Sequence, residues 1–428
     1  MMNIFCRMRK MQYICTRFIK QFIKIIFKMD NKWLRGALPA LMIHCSIGFV
    51  YCWSLFKNEI AVIMEQPVSN VEWAFSLAIF FLGMSAAFGG NLVEKNVKKS
   101  SLISMIFFCS GLFGTALSIH YQSLVGLFIS YGVIMGIGLG IGYLTPVKTL
   151  MLWFKDNKGL ATGIAIMGFG LAKFIASPMI EYLMNITTLE MMFIILGTLY
   201  ICPMLVGHIF IKKPDYAKDF VGTPVNLRSA WSMIINKTYL AIWFVFFINI
   251  TCGLALISQE KPILEFIGMS SAVIGLIAGL TALFNSIGRL GYSTLSDKMN
   301  DRSTVYSLIF ISSAIVCFLS FGGFAINNST MLWTVLILLT LGVVNLGYGG
   351  GFSTLPSLLS DKFGMEQVSI IHGFALSAWA WAGLCGNQLA VYMVNRYGDY
   401  NELLLVLGVL YSISLLVTIT LIRNKKDK

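Results

Sequence analysis

The chain has 428 residues, of which 57% are hydrophobic and only 12% are charged, and its mean hydropathy is +0.78. Soluble domains carry about 25% charged residues, so this composition excludes an ordinary soluble protein and predicts an all-α membrane protein. The net charge of +13 would suit a nucleic-acid partner. The basic residues cluster, however, on one side of the predicted spans, which is the positive-inside pattern. We therefore expect a lipid bilayer around the chain and no nucleic acid.

The N-terminal segment, residues 1–32, is basic and differs from the rest of the chain. Lys20, Lys24 and Lys28 are spaced by four residues, with Phe and Ile between them. This spacing is typical of an amphipathic helix on the inner leaflet. The alternative, which we favour, is that translation begins at Met29.

Twelve apolar runs follow, each long enough to cross a bilayer as a helix. They lie at 36–56, 71–90, 101–120, 124–150, 160–182, 190–211, 238–258, 270–295, 304–325, 331–355, 368–393 and 402–422. With the N-terminus in the cytoplasm, the external loops hold only three basic residues, Lys57, Lys261 and Arg396. This asymmetry predicts that both termini are cytoplasmic.

A polar break divides the spans into two groups of six. We predict an N-terminal bundle at 33–211, a cytoplasmic linker at 212–236, a C-terminal bundle at 237–422 and a basic tail at 423–428. The acid–base pair Glu94-Lys95 after span 2 recurs as Asp297-Lys298 after span 8. Such a repeat predicts two pseudo-symmetric six-helix bundles, an arrangement typical of transporters with a site between the halves.

Two cations fall inside predicted spans at positions where they cannot easily reach water. Arg289 lies in span 8, and Lys173 lies about 14 residues, or about 21 Å, into span 5. The acidic residues all fall in loops or near span ends, so no carboxylate within a span is expected to neutralise either cation. Buried cations in a membrane protein usually face a cavity, and these two predict an anionic substrate.

Further polar and aromatic side chains are candidates for the same cavity. Asn285 shares one face of span 8 with Arg289, since they are four residues apart. Tyr51 on span 1, Tyr348 on span 10 and Trp379 on span 11 could contact a small carboxylate, although packing explains each of them as well. His44 on span 1 is a weaker candidate, for proton relay.

Several motifs identify a family resemblance. The run Gly90-x-x-x-Glu94-Lys95-x-x-Lys98-Lys99 resembles the loop 2–3 signature of the major facilitator superfamily, with Glu94 for the usual Asp and Val97 for the usual Gly. The segments 48–56, 153–163, 285–298 and 349–356 together resemble the oxalate/formate antiporter family of that superfamily.

The resemblance implies the major facilitator fold and exchange of small organic anions by alternating access. It implies that Arg289 binds a substrate carboxylate and that Glu94, Lys95, Asp297 and Lys298 gate the cytoplasmic side. A second cation, the family's span-11 lysine, is absent, and Trp379 stands near its position. Lys173 is the pseudo-symmetric counterpart of that lysine, and spans 5 and 8 are neighbours in the superfamily fold, so Lys173 could face the same cavity.

We therefore expect a secondary carrier for carboxylates such as oxalate, formate or pyruvate, acting as a monomer in a bacterial inner membrane. The alternatives are a proton-linked monocarboxylate symporter or exporter, a sugar or drug carrier and, more remotely, a sensor without transport. The sequence contains no HExxH motif and no mid-membrane Ser/His/Asp set, so an enzyme is not expected. The nine cysteines and four histidines are dispersed, and we predict neither a metal nor a cofactor.

Overall fold

The computed structural model describes residues 31–154, 158–217, 232–321, 331–364 and 368–423. Within these ranges the secondary structure is helical and contains no strand. The predicted basic helix at 20–28 lies outside the described residues.

Eleven helices in the described part of the chain are long and apolar enough to cross a membrane. Numbered with a broken eleventh helix included, the spanning helices are α1 (Trp33–Leu55), α2 (Val68–Phe88), α3 (Val97–His120), α4 (Leu124–Trp153), α5 (Lys158–Ile186), α6 (Leu189–Phe210), α7 (Lys237–Ser258), α8 (Ser271–Ser296), α9 (Ser303–Ser320), α10 (Met331–Phe363), α11 (Val368–Ala375 and Ser377–Tyr397) and α12 (Asn401–Ile422). The all-helical, multi-pass fold class predicted from the sequence is confirmed.

Local sequence explains where several of these helices begin and end. The side chains of Asn96, Ser123, Thr188 and Asn236 accept hydrogen bonds from backbone N–H groups in the first turns of α3, α4, α6 and α7. Such N-caps satisfy donors that have no partner within the helix. At the other end of α11, Gly398 has a φ of 83°, a left-handed conformation that favours glycine.

The predicted eleventh span is interrupted. It consists of a short helix, Val368–Ala375, and a longer one, Ser377–Tyr397, which meet at Leu376. The longer piece is not among the eleven strongly apolar helices, because polar residues such as Asn387 and Gln388 lower its hydropathy. Asn387 and Gln388 both donate hydrogen bonds to Ser76 Oγ of α2.

The helix pairs that join the predicted halves include α5, which packs along α8, and α2, which packs along α11. The predicted proximity of spans 5 and 8 is thus confirmed. Glycine permits the close approach, since a Cβ atom at Gly170 on α5 would lie only 2.4 Å from Ser286 Oγ on α8. On the other side of α8, a Cβ atom at Gly349 of α10 would lie 2.1 Å from the Asn285 carbonyl oxygen. Helix α8 is therefore fixed between α5 and α10. The division of the chain into two bundles joined by a linker at 212–236 stays a prediction.

Candidate functional site

Arg289 is fully buried on α8, with 0% of its surface exposed. Its Nε–H donates a hydrogen bond to Asn285 Oδ1 at 2.7 Å. Its Nη1 and Nη2 atoms have no hydrogen-bond partner among the described residues, and no ion pair involves the guanidinium there. Asn285 therefore orients the guanidinium, while its two terminal nitrogens keep unused hydrogen-bonding capacity. Paired N–H donors of this kind match the two oxygens of a carboxylate.

Aromatic side chains from both predicted halves surround Arg289, and we call this group the aromatic chamber. It consists of Tyr51, Tyr143, Phe169, Tyr348, Phe352 and Trp379, each 2% exposed or less. The guanidinium carbon lies 5.6 Å from the ring centre of Phe169 and 5.2 Å from that of Phe352. Cation–π attraction over these faces offsets part of the cost of burying the charge.

The rings of the chamber also contact one another across the two halves. The Trp379 ring centre lies 4.4 Å from that of Phe352 and 5.1 Å from that of Tyr143. The Tyr51 and Tyr348 hydroxyls form a hydrogen bond of 2.6 Å. The chamber thus brings together five of the predicted site residues: Arg289, Asn285, Tyr51, Tyr348 and Trp379.

Two more donors in the chamber lack a partner among the residues that the structure describes. They are the Tyr143 hydroxyl and the indole Nε1–H of Trp379. A buried polar atom without a partner costs about 1–3 kcal/mol. Together with Arg289, these donors form a positively charged, donor-rich centre that an anion with several acceptor oxygens would complete.

Lys173 occupies a different environment from the predicted one. It is 3% exposed, and its ammonium group pairs with the fully buried carboxylate of Glu260. The expectation that no carboxylate neutralises Lys173 was therefore wrong. Glu260 begins a short helix, Glu260–Phe266, directly after α7. Along the sequence it therefore lies at the end of a span, but the fold buries its side chain completely. The Thr281 hydroxyl of α8 also donates to this carboxylate.

A second buried ion pair lies near the connection between α1 and α2. Lys57 and Glu72 are both 0% exposed and pair with each other. Lys57 Nζ also donates to the Ser258 carbonyl at 2.9 Å and to Gln259 Oε1 at 3.0 Å, and Gln259 Nε2 donates to Glu72 Oε1 at 3.0 Å. Because Ser258 and Gln259 belong to the other predicted half, this network joins the two halves.

Three more polar contacts cross between the halves in the same region. Lys261 Nζ donates to the Leu55 carbonyl at 2.8 Å and to Glu59 Oε1 at 2.7 Å. Asn387 of α11 donates to the Glu72 carbonyl at 3.0 Å. We call this region, with Lys57, Glu72, Gln259, Glu260, Lys261 and Lys173, the paired end of the molecule. Lys57 and Lys261, which the sequence places in external loops, are thus buried and hydrogen-bonded.

His44 packs against the chamber, with its ring centre 5.5 Å from that of Tyr143 and 6.0 Å from that of Phe169. His44 has its Nδ1 against the Ala165 carbonyl and its Nε2 3.1 Å from the Tyr143 carbonyl, so backbone oxygens already face both ring nitrogens. Its role as a proton relay stays a prediction.

The predicted gate residues lie at the opposite end from the paired end. Asp297 Oδ1 accepts a hydrogen bond of 2.7 Å from Arg302 in the same half. The Asp297 carboxylate also lies against Gly159 of the other half, where a Cβ atom would be 2.5 Å away, next to the positive end of the α5 dipole. Lys95 and Lys298 are exposed, and the Glu94 side chain lies outside the described part. Gating by this group stays a prediction.

Sequence reasoning missed Tyr143, Phe169, Glu72 and Glu260. For Tyr143 a signal existed, because it directly follows the glycine run 136–142 on α4, where helices approach closely. The acidic residues gave no such signal. Glu260 and Lys173 are 87 residues apart, and only the packing of the two halves brings them together.

A multi-pass helical bundle that buries a cation at its centre is typical of membrane carriers. The family model of the Major Facilitator Superfamily matches residues 40–386. The chain belongs to this superfamily and is a transporter rather than an enzyme.

Known proteins similar to this chain extend over most of its length. It is 27% identical over 365 residues to the uncharacterized MFS-type transporter YhjX of Escherichia coli, covering 83% of this chain and 86% of that protein. It is 24% identical to the oxalate:formate antiporter of Oxalobacter formigenes, covering 89% of each. The crystal structure of a D-xylose-proton symporter matches with a TM-score of 0.71 at 13% identity, covering 92% of this chain and 98% of that one, which supports the fold alone.

Proposed function

We propose that this transporter exchanges small carboxylates across the bacterial inner membrane by alternating access. The observation that carries the proposal is the fully buried Arg289 guanidinium, whose two terminal nitrogens have no partner within the described chain. A cation left unpaired in a low-dielectric interior favours an anionic ligand. The similarity to an oxalate:formate antiporter supports the same substrate class.

The chamber supplies the chemistry for a small planar anion. Arg289 would bind two carboxylate oxygens in parallel, because its planar guanidinium presents donors at matching positions. The Tyr143 hydroxyl and the Trp379 indole nitrogen would supply further donors. The rings of Phe169 and Phe352 would line the site beside the guanidinium, and their burial excludes water.

The positive charge of Arg289 also explains why we propose anion exchange. The empty chamber retains an uncompensated cation, which a bound anion neutralises before the halves rearrange. With the positive-inside orientation, both termini lie in the cytoplasm and the paired end faces outward. In this conformation the contacts around Lys57 and Lys261 close the chamber toward the outside. We propose that the protein acts as a monomer.

Counterflow in proteoliposomes tests the proposal. Vesicles preloaded with unlabelled oxalate, formate, pyruvate or lactate would receive the same anions in radiolabelled form. We expect preloading to accelerate uptake of at least one anion. Arg289→Gln should lower this uptake about tenfold to hundredfold, since hydrogen bonds to charged groups contribute about 1.5–3 kcal/mol.

The matched control is Arg396→Gln, which removes an exposed arginine at the end of α11 and should leave exchange unchanged. Uptake that ignores preloading and follows an imposed pH gradient would identify a proton-linked symporter instead. Folded wild-type protein that transports none of the anions would overturn the carboxylate proposal.

A further inference from the structure

The second buried cation, Lys173, is neutralised by a resident carboxylate. Lys173 on α5 is 3% exposed, Glu260 is fully buried, and the two form an ion pair between the predicted halves. The Thr281 hydroxyl donates to the other carboxylate oxygen of Glu260. Both oxygens of Glu260 are thus engaged, as the oxygens of a bound carboxylate ligand would be.

This pair lies close to the Arg289 centre along the same two helices. Thr281, which contacts Glu260, and Arg289 share one face of α8 eight residues apart, or about 12 Å along the helix axis. On α5, Phe169 lies one turn from Lys173, and its ring lies below the Arg289 guanidinium at 5.6 Å. Lys173 and Arg289 are therefore successive cations along one α5–α8 interface.

The three buried cations Lys57, Lys173 and Arg289 and the two buried carboxylates Glu72 and Glu260 sum to a single positive charge. Lys57 pairs with Glu72, and Lys173 pairs with Glu260, so each pair is neutral overall. Arg289 forms no ion pair with any residue that the structure describes. One monovalent anion would make this interior neutral, whereas a divalent anion would leave an uncompensated negative charge in a low-dielectric environment.

We propose that Glu260 determines the charge of the transported anion. It holds Lys173 out of the binding site, so the chamber selects carboxylates with one negative charge and disfavours dianions. This inference rests on the proposed function. Removing the charge of Glu260 would free Lys173 to bind a second carboxylate, and because Lys173 and Arg289 lie at different levels of the α5–α8 interface, we choose succinate as an extended dianion to test this beside the compact oxalate.

Binding by purified protein tests this role. Affinities for lactate, pyruvate, oxalate and succinate would be measured for wild type and Glu260→Gln. We expect the ratio of succinate to lactate affinity to rise about tenfold or more in Glu260→Gln, the factor that one modest additional charge interaction supplies. Glu265→Gln is the matched control, because Glu265 lies exposed on the same short helix, and its ratio should stay at the wild-type value.

A second pair of variants keeps the test decisive if Glu260→Gln does not fold. Lys173→Met leaves the Glu260 carboxylate unpaired beside the chamber, so we expect lactate affinity to fall about tenfold. Lys173→Met/Glu260→Gln removes both charges and should recover that affinity. A folded Lys173→Met protein with wild-type affinity, or a double variant without recovery, would overturn the proposal.

The two proposals fail in different ways. Wild-type protein that binds no carboxylate would refute the proposed function itself. Wild-type binding that depends on Arg289, together with an unchanged succinate-to-lactate ratio in Glu260→Gln, would refute only the role of Glu260.

Discussion

The aromatic chamber and the paired end both bury positive charge, but they treat it in opposite ways. At the paired end, Lys57 and Lys173 each have a buried carboxylate partner. In the chamber, Arg289 contacts an amide oxygen and two aromatic rings but no carboxylate among the described residues, and two of its nitrogens have no hydrogen-bond partner there. Charges that are matched within the protein hold the halves together, whereas a charge left unmatched favours a ligand.

The largest difference in stability between the paired end and the aromatic chamber should appear when the Lys57–Glu72 ion pair is broken. Lys57→Met leaves the Glu72 carboxylate buried without its cation, which costs about 3–5 kcal/mol when one partner of a buried pair is removed. Thermal unfolding in detergent should show a large fall in the melting temperature. Lys57→Met/Glu72→Gln should recover most of this loss, because no uncompensated charge remains.

Equal destabilisation by the single and double variants would mean that hydrogen-bond geometry around Gln259 and Ser258, rather than charge matching, stabilises this end. In the chamber the expectation is reversed. Removing the charge of Arg289 should leave the unfolding temperature unchanged or raise it, since no carboxylate loses a partner.

An effect of intermediate size, on carboxylate affinity, is expected for Tyr143→Phe. This change removes a buried hydroxyl that has no hydrogen-bond partner in the described structure. The stability of the empty protein should not fall, because no hydrogen bond is lost. Carboxylate affinity should fall about fivefold to tenfold, the value of about one hydrogen bond. Measuring the melting temperature with and without ligand checks both statements. A clear loss of stability in the empty protein would show that the hydroxyl has a structural role instead.

The smallest effect should come from Glu59→Gln. Glu59 is 36% exposed and pairs with Lys261, whose ammonium group also donates to the Leu55 carbonyl. Ion pairs that reach solvent contribute about 1 kcal/mol or less. The melting temperature should therefore change far less than in Lys57→Met, and a comparable fall would contradict the distinction between buried and half-exposed pairs.

The sequence predicted the residues of the aromatic chamber better than those of the paired end. Arg289 was recognisable because a single charge interrupts an apolar helix, and Asn285 because it lies one turn away on the same face. Hydropathy likewise located the spans, although it did not reveal the break of α11 at Leu376. These are local signals, each contained within a few turns of one helix.

The paired end depends on contacts that no local pattern encodes. Glu72 and Glu260 occupy span ends, where acidic residues are usually solvated, and only the packing of α2 on α11 and of α5 on α8 buries them. The partners Lys173 and Glu260 come from different halves of the chain, so the ion pair follows from the fold. For the same reason Phe169 resembled an ordinary packing residue until its position beside Arg289 was known.

The most direct test of the central claim is equilibrium binding of a radiolabelled monocarboxylate, chosen from formate, pyruvate and lactate, to the purified protein. An unmatched Arg289 predicts saturable binding by wild type and an affinity about tenfold or more lower in Arg289→Gln, with the protein still folded. Equal affinities in the two proteins would contradict the claim and would show that this buried guanidinium has a structural role rather than a role in binding the anion.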